Sequence, residues 1–378
     1  MASDWNVTVE QIEFVRPHEN ADNLEIIRLK GLNYTLISGK GIHAEGDLCV
    51  FFPVDSILPE WILEEMGLVG KLSGPDKNRV KTIQLRKKVS QGLVGPLSLL
   101  DGRMDYITSH VQRGDVVTEV LGCVKYDPPE PVMKGGRLIK LPENVSYYDL
   151  DNAQRHSDVV DMYLMDASVF ITEKLEGSHC AFVLSSAGFH ICQRRHMIEQ
   201  DEVGSDHTWY KVAREGLYED RLRDLFQSLN FGLDVMGAEG LSTLTVRGEI
   251  IGPKIQKNIY QLDDHEFRAF EIELDGKPVA GWLFSAYCTR YGIPSVPILC
   301  DGSHTLREWL MRTLDVDSAS GISEIGDLLP EASNGKSRLA DFPREGIVIR
   351  PSIEVVDPNF GRVIVKQRSP EYLTVYDT

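Results

Sequence analysis

The first third of the chain alternates short apolar runs with turn residues. Val7 to Val15, Leu24 to Leu29, Tyr34 to Ser38, Leu48 to Pro53, Val80 to Leu85 and Val89 to Leu97 are each of strand length, with turn signals between them. One short stretch, Glu60 to Met66, has the pattern of a helix. This arrangement predicts a small β-barrel of the OB type. From Val124 to Tyr147 no period is sustained, and four prolines and a Gly-Gly pair mark a linker or an extended crossing strand. Beyond it strands mix with helices. Leu222, Leu225, Phe226 and Leu229 share one helical face, and Leu306, Trp309, Leu310 and Leu314 another. The expected organisation is α+β, with a barrel over 1–130, a linker over 131–147 and a second domain over 148–378.

Charge placement sharpens this picture. Three strand-like runs in the second domain carry charges among β-branched residues: Leu244 to Gly252 with Arg247 and Glu249, Arg344 to Arg350 with Glu345, and Arg362 to Arg368 with Lys366 and Arg368 on one face. A charge on an apolar strand is costly to bury unless it is paired, so each of these is a structural ion pair or part of a site. A fourth run, FITEKLEGSH from Phe170 to His179, ends in Lys174 with Gly177 three residues on. Lys-x-x-Gly alone is a weak pattern, and Lys71-Leu72-Ser73-Gly74 matches it within turn residues. Taken together, the charged runs offer one candidate nucleophile, Lys174, with the carboxylates Glu176, Glu249 and Glu345 and the cations Lys366 and Arg368. Such an inventory suits phosphoryl or nucleotidyl transfer. A lysine attacks as the free amine, carboxylates hold Mg²⁺ or Mn²⁺, fixed cations stabilise the charged transition state, and Gly177 lets backbone approach a phosphate.

Composition excludes several classes. The 378 residues carry 40 Lys and Arg against 57 Asp and Glu, a net charge of −17, which argues against indiscriminate polyanion binding. A local basic track runs against that trend, with Arg79, Lys81, Arg86, Lys87 and Lys88 in the stretch from Lys77 to Lys88, read as one strand with a charged face that follows phosphates or protects a sheet edge. No apolar run is long enough to cross a bilayer, and MASDWNVTVE has no signal-peptide pattern, so no membrane partner and a cytoplasmic or nuclear, not secreted, protein are expected. Six scattered cysteines without a Cys-x-x-Cys pair read as reduced thiols.

The order of these segments resembles the covalent nucleotidyltransferase superfamily, and within it the ATP-dependent RNA ligases that carry an OB module before the catalytic domain. Lys174-Leu175-Glu176-Gly177 resembles motif I, Arg247 to Pro253 motif III with the ligase-like Ile255 to Tyr260 after it, Glu345 to Ile349 motif IV, and Val365 to Arg368 motif V. The resemblance covers most of residues 145–378. It implies a nucleotidyltransferase domain of ATP-grasp-like antiparallel sheets with helices. It also implies ATP as cofactor with AMP carried covalently on Lys174, Mg²⁺ or Mn²⁺ held by Glu176, Glu249 and Glu345, and joining of RNA 5′-phosphate and 3′-OH ends by a monomer. Nucleotide contacts are expected from Glu173 to the adenine amino group, from Phe270 as a stacking surface, and from Lys174, Gly177, Arg194, Glu249, Lys366 and Arg368. Two departures stand out: Arg368 replaces the frequent second lysine of motif V, and Glu176 replaces the frequent Asp or His of motif I. DNA ligases and guanylyltransferases share the scaffold but place another OB domain after motif V, whereas ten residues follow Arg368 here, which favours RNA ligase. A degenerate, non-catalytic RNA-binding protein is the rival of another class, and the apparently full motif set counts against it. His18 to Leu24 (HENADNL) resembles the opening of tRNA-binding OB modules, and Ser90 to Leu93 a turn of the ligase branch.

Overall fold

The computed structural model describes residues 5–103, 111–127, 137–142, 145–199, 207–316 and 328–376. Among them the chain forms two compact units. One gathers residues 5–127, 151–158 and 370–376, the other 137–150 and 159–369.

In the N-terminal unit five antiparallel strands lie in the order Leu32–Gly39, Leu24–Leu29, Thr8–Pro17, Leu48–Phe52, Leu93–Pro96. The run Leu48–Phe52 shows why its sequence is apolar throughout. Cys49 and Phe51 join a cluster with Ile12, Ile27, Leu29 and Leu36 inside the curl, while Val50 and Phe52 point the other way into a cluster with Leu58, Ile62, Leu99 and Val117. The helix Glu60–Glu65 supplies Ile62 and Leu63 to that second cluster, matching the helix expected there. The sheet curls so that Leu32–Gly39 meets a separate hairpin, the Ile37 N–H donating to Ser90 Oγ at 3.0 Å. This curled antiparallel sheet is an OB-like half-barrel.

That hairpin corrects the reading of the basic track as one strand. Thr82–Leu85 pairs with Lys88–Gln91, and the reversal is made by Arg86 and Lys87, both with positive φ (47° and 73°), the conformation of a two-residue type I′ turn. The sequence lacks the Asn-Gly or Asp-Gly signal of such a turn. Its tip is instead fixed from outside. The His18 ring accepts the Asn20 N–H at Nδ1 (3.1 Å) and lies 3.2 Å from the Leu85 carbonyl at Nε2, while the Asn20 side chain donates to the Arg86 carbonyl at 3.3 Å.

The second unit has two sheets. A seven-stranded antiparallel sheet runs Leu138–Ile139, Met197–Ile198, Gly188–Cys192, Ser178–Ser185, Thr243–Ile251, Glu266–Leu274, Lys277–Pro278. The other sheet places Val365–Arg368, Gly346–Pro351, Ser168–Lys174 and Ile298–Thr305 side by side. Cys180, Phe182, Leu184, Leu244, Val246 and Ile272 point to one face of the larger sheet, where helices Thr208–Glu215, Tyr218–Val235 and Gly281–Arg290 bury Trp209, Leu222, Leu225 and Phe284. Both helical faces expected from the sequence pack as anticipated, with Leu306, Trp309 and Leu310 buried along Leu306–Leu314. Part of the stretch read as linker is built into this unit: Leu138–Ile139 is a sheet edge and Val145 packs on Ala181, Val183 and Cys192. Residues 128–136 and 143–144 lie outside the described residues.

The opposite face of the larger sheet buries charge. Arg247 binds Glu273 with two hydrogen bonds (2.8 and 3.0 Å) and donates to the Ser146 carbonyl at 2.7 Å. Next to it Glu271 accepts from the Tyr148 hydroxyl (2.6 Å) and pairs with Arg362 (2.5 Å), and Glu354 joins Arg362 to Arg350. Arg247 is thus a structural ion pair that fixes the strand bearing Glu249. The Arg247 and Glu273 side chains are 3% and 6% exposed. Breaking the pair with Glu273→Ala strands a buried guanidinium and is expected to cost about 3–5 kcal/mol in urea unfolding, whereas Arg247→Met with Glu273→Leu together should recover most of it.

Candidate active site

Lys174 ends the strand Ser168–Lys174, whose partner Gly346–Pro351 places Gly346 opposite it; Gly346 in turn faces Arg368 on the third strand. An added Cβ at Gly346 would lie 2.2 Å from the Gln367 carbonyl, so only glycine allows this approach. The residue before it, Glu345, is thereby delivered to Lys174. Its Oε2 lies 2.6 Å from Lys174 Nζ and its Oε1 3.5 Å from Arg368 Nε. Lys366, opposite Val348, shares the Arg368 face. Burial, followed by repulsion from Lys174, pushes the Lys366 ammonium down to about 8.

Glu249 comes from the other sheet, opposite His179. Its Oε2 is buried without a hydrogen-bond partner. Burial pushes its carboxyl up to about 8, with Lys174 opposing and Glu345 reinforcing. Gly177 packs against it: a Cβ there would lie 2.9 Å from the Ile250 carbonyl and 3.0 Å from both Glu249 Cβ and Oε2. Glu176 is held by a segment whose role the sequence left open. The Glu176 N–H donates to the Tyr260 hydroxyl and the Lys257 N–H donates to Glu176 Oε1, both at 2.8 Å. Lys254, Gln256, Asn258 and Gln261 adopt positive φ in that segment, which winds it tightly enough to present a backbone donor and a phenol to motif I. Among the described residues no group of three or more His, Cys, Asp or Glu side chains is arranged as a ready cation cage. The structure therefore gathers Lys174, Glu345, Arg368 and Lys366 closely, with Glu249 near enough to feel both Lys174 and Glu345, while Glu176 is held by its own bonds to Lys257 and Tyr260. The orphaned Glu249 oxygen is the one that fits a hard cation best.

Arg194 follows the strand Gly188–Cys192 and is bound by the Tyr147 hydroxyl and by Asp149. Neither partner was singled out in the sequence: Tyr147 is the last residue of the stretch read as linker, and Asp149 lies just beyond it. His179 stands beside the half-buried Phe270, ring centroids 6.0 Å apart, with its Nδ1 buried and unpartnered. Burial, with Arg247 and Arg194 adding, pushes the imidazole down to about 3, so it is neutral. Glu173 is buried; its Oε2 accepts the Arg338 N–H at 3.0 Å and its Oε1 has no partner.

The candidate RNA-binding residues lie in the N-terminal unit and divide into two kinds. Arg79 is committed, donating to Asp55 Oδ1 (2.5 and 3.0 Å) and lying 3.6 Å from the Tyr126 ring centroid. Lys88 pairs with Glu19 at 3.1 Å. Arg86 and Lys87 are exposed at the hairpin tip, and Lys81 precedes the hairpin half-buried.

An OB-fold domain model matches residues 6–97. No curated protein sequence matches the chain. The fold is shared with structures of Naegleria gruberi RNA ligase. A ligand-free mutant form superposes with a TM-score of 0.73 at 22% identity, covering 99% of this chain and 98% of that one. A mutant form with ATP and Mn gives 0.72 at 22% identity with 97% of each chain covered, and the form with PPi gives 0.70 over the same shares at the same identity. The family model described as RNA ligase matches residues 167–368, a span that holds Lys174, Glu249, Glu345, Lys366 and Arg368 and exceeds half of the chain, and the protein belongs to the RNA ligase family.

Proposed function

We propose that this RNA ligase uses ATP to join RNA 5′-phosphate and 3′-OH ends through lysyl-AMP and RNA-adenylate, with Lys174 as the nucleophile. The observation that carries the assignment is the 2.6 Å contact between Lys174 Nζ and Glu345, with Arg368 on the other Glu345 oxygen. In the first step the Lys174 amine attacks the α-phosphorus, an N–P bond forms, the bond to the bridging oxygen breaks, and pyrophosphate leaves with its electron pair. Glu345 is the carboxylate placed to take the proton that the ammonium gives up. Lys366 and Arg368 bear on the phosphate charge that develops. In the second step an oxygen of the RNA 5′-phosphate attacks the α-phosphorus and displaces the Lys174 nitrogen, taking AMP; in the third a 3′-OH attacks the phosphorus of the RNA 5′-phosphate, a phosphodiester bond forms, and AMP leaves with the bridging oxygen.

Glu249, with Glu176 and Glu345 contributing, would hold Mg²⁺ or Mn²⁺, which supplies charge neutralisation on the phosphate under attack. The buried, unpartnered Glu249 Oε2 supports this, as do the structures of Naegleria gruberi RNA ligase mutants with ATP and Mn and with AMP and Mn. The six cysteines are free and buried, which supports a reducing compartment such as the cytoplasm or nucleus. Among the described residues no helix is long and apolar enough to cross a membrane. The exposed Arg86 and Lys87 are assigned to RNA phosphates.

With labelled ATP and Mg²⁺, wild type should acquire a label removable by pyrophosphate, seen as an AMP mass shift, and Lys174→Ala should acquire none. The same variant should still seal a pre-adenylylated RNA nick without ATP, and label retained by it would remove Lys174 from its role. Gly177→Ala should fold but lose about 100-fold in lysyl-AMP formation, because its methyl displaces Glu249 or the Ile250 strand. Replacing Arg86-Lys87 by Asn-Gly keeps the type I′ turn while removing two charges. It should leave lysyl-AMP formation intact and make the log–log salt slope of RNA binding shallower by about 1–2.

A further inference from the structure

The strongest unassigned feature of this unit is the loop over 333–344, between helix Leu329–Ala332 and Glu345. It is internally braced: Arg344 donates to the Asn334 carbonyl (2.7 and 3.1 Å), the Ser337 N–H to the Phe342 carbonyl (2.7 Å), and Lys336 pairs with Asp341 (2.5 Å). At one end it grips the cation strand, with the Ser333 hydroxyl on the Arg368 carbonyl (3.3 Å) and the Ser369 hydroxyl on Asn334 Oδ1 (2.8 Å). Its middle meets Glu173. The Arg338 guanidinium donates to the Ile298 carbonyl at 2.6 Å, and the Arg338 N–H, held by the braced loop, lies 3.0 Å from Glu173 Oε2. The Glu173 backbone is fixed as well, its N–H donating to the Pro297 carbonyl at 2.8 Å.

One carboxylate oxygen is therefore consumed by a fixed donor, and the other is left buried and unsatisfied. A buried acceptor without a partner is unfavourable until a ligand supplies a hydrogen. We infer that loop 333–344 is the element that sets nucleobase choice: the Arg338 N–H turns Glu173 so that Oε1 presents only an acceptor, which takes the amino group of adenine and rejects the carbonyl of a 6-oxopurine. Arg338 acts as a positioning residue, through its backbone. This rests on the reading of Glu173 as the contact to the base.

The test compares protein labelling from α-labelled ATP and ITP, whose bases differ at position 6 in amine against carbonyl. Damage to the catalytic centre lowers both rates together, so the ATP:ITP ratio isolates base reading. Wild type should favour ATP by about 100-fold or more. Arg338→Ala, which keeps the N–H, should retain the ratio, and Arg338→Pro, which removes it, should lower the ratio by about tenfold. Glu173→Gln gives the sharper outcome. With the amide oxygen held by the Arg338 N–H, its NH₂ must take the place of Oε1, so preference should invert toward ITP. In Glu173→Gln with Arg338→Pro the amide can rotate, and the ratio should return close to one. An Arg338→Pro protein with a normal thermal melt and an unchanged ratio would overturn the role of the loop while leaving Glu173 as base reader. If Arg338→Pro does not fold, Glu173→Gln alone decides, since a ratio near one in place of inversion overturns the loop's orienting role. An unchanged ratio in Glu173→Gln would instead remove Glu173 from base contact, and absence of any labelling in wild type would overturn the ligase reading itself.

Discussion

The site depends on the register of Ser168–Lys174 against Gly346–Pro351. Side chains on a strand alternate with a period of two, so a slip of one residue would turn Lys174 away from Glu345 and place Glu173 there in its stead. On its other side Gly346–Pro351 is fixed by the close approach of Gly346 to the Gln367 carbonyl, which only glycine allows. From these two pairings follow the delivery of Glu345 to Lys174, the placement of Arg368 on the far oxygen of the same carboxylate, and the burial of Glu173 beneath loop 333–344. The positions of Lys174, Glu345, Arg368 and Glu173 are thus consequences of how these three strands pair.

The second sheet contributes through a different constraint. Glu249 is carried by a strand whose neighbour residue Arg247 is paired with Glu273 and tied to the Ser146 carbonyl. A buried ion pair is seldom a large source of net stability, but its directional bonds restrict how the strand can shift. The wound segment around Lys254 to Gln261 does the same for Glu176 with a backbone donor, the Lys257 N–H, and an acceptor, the Tyr260 hydroxyl. Four residues in positive φ wind this segment so that the Lys257 N–H and the Tyr260 hydroxyl both reach Glu176.

What the sequence made legible was chemistry written in side chains. Lys174, Glu249, Glu345, Lys366 and Arg368 were conspicuous because charge on a β-branched strand is expensive, and the helices were conspicuous through their spacing. Contributions made by the main chain left no such mark. The Arg338 and Lys257 amides could have been supplied by almost any residue type, so no pattern announces them. Tyr147 was hidden for another reason: prolines and a Gly-Gly pair gave the stretch that ends at it the appearance of a linker, although Val145 packs on the large sheet and Tyr147 binds Arg194, as does Asp149 just beyond. The basic track was misread as one strand because Arg86-Lys87 carries none of the residues that signal a tight reversal.

The docking of that reversal separates placement from content. His18 and Asn20 reach carbonyl oxygens at Leu85 and Arg86, not the side chains that follow them. Carbonyls are common to every residue, so the support is blind to what the tip displays. The two tip positions can accordingly exchange their side chains while the turn stays where it is, provided the newcomers tolerate positive φ. The barrel thus behaves as a fixed mount with an interchangeable head, and the surface this unit offers to a polymer can be rewritten at Arg86 and Lys87 without redesigning the fold beneath.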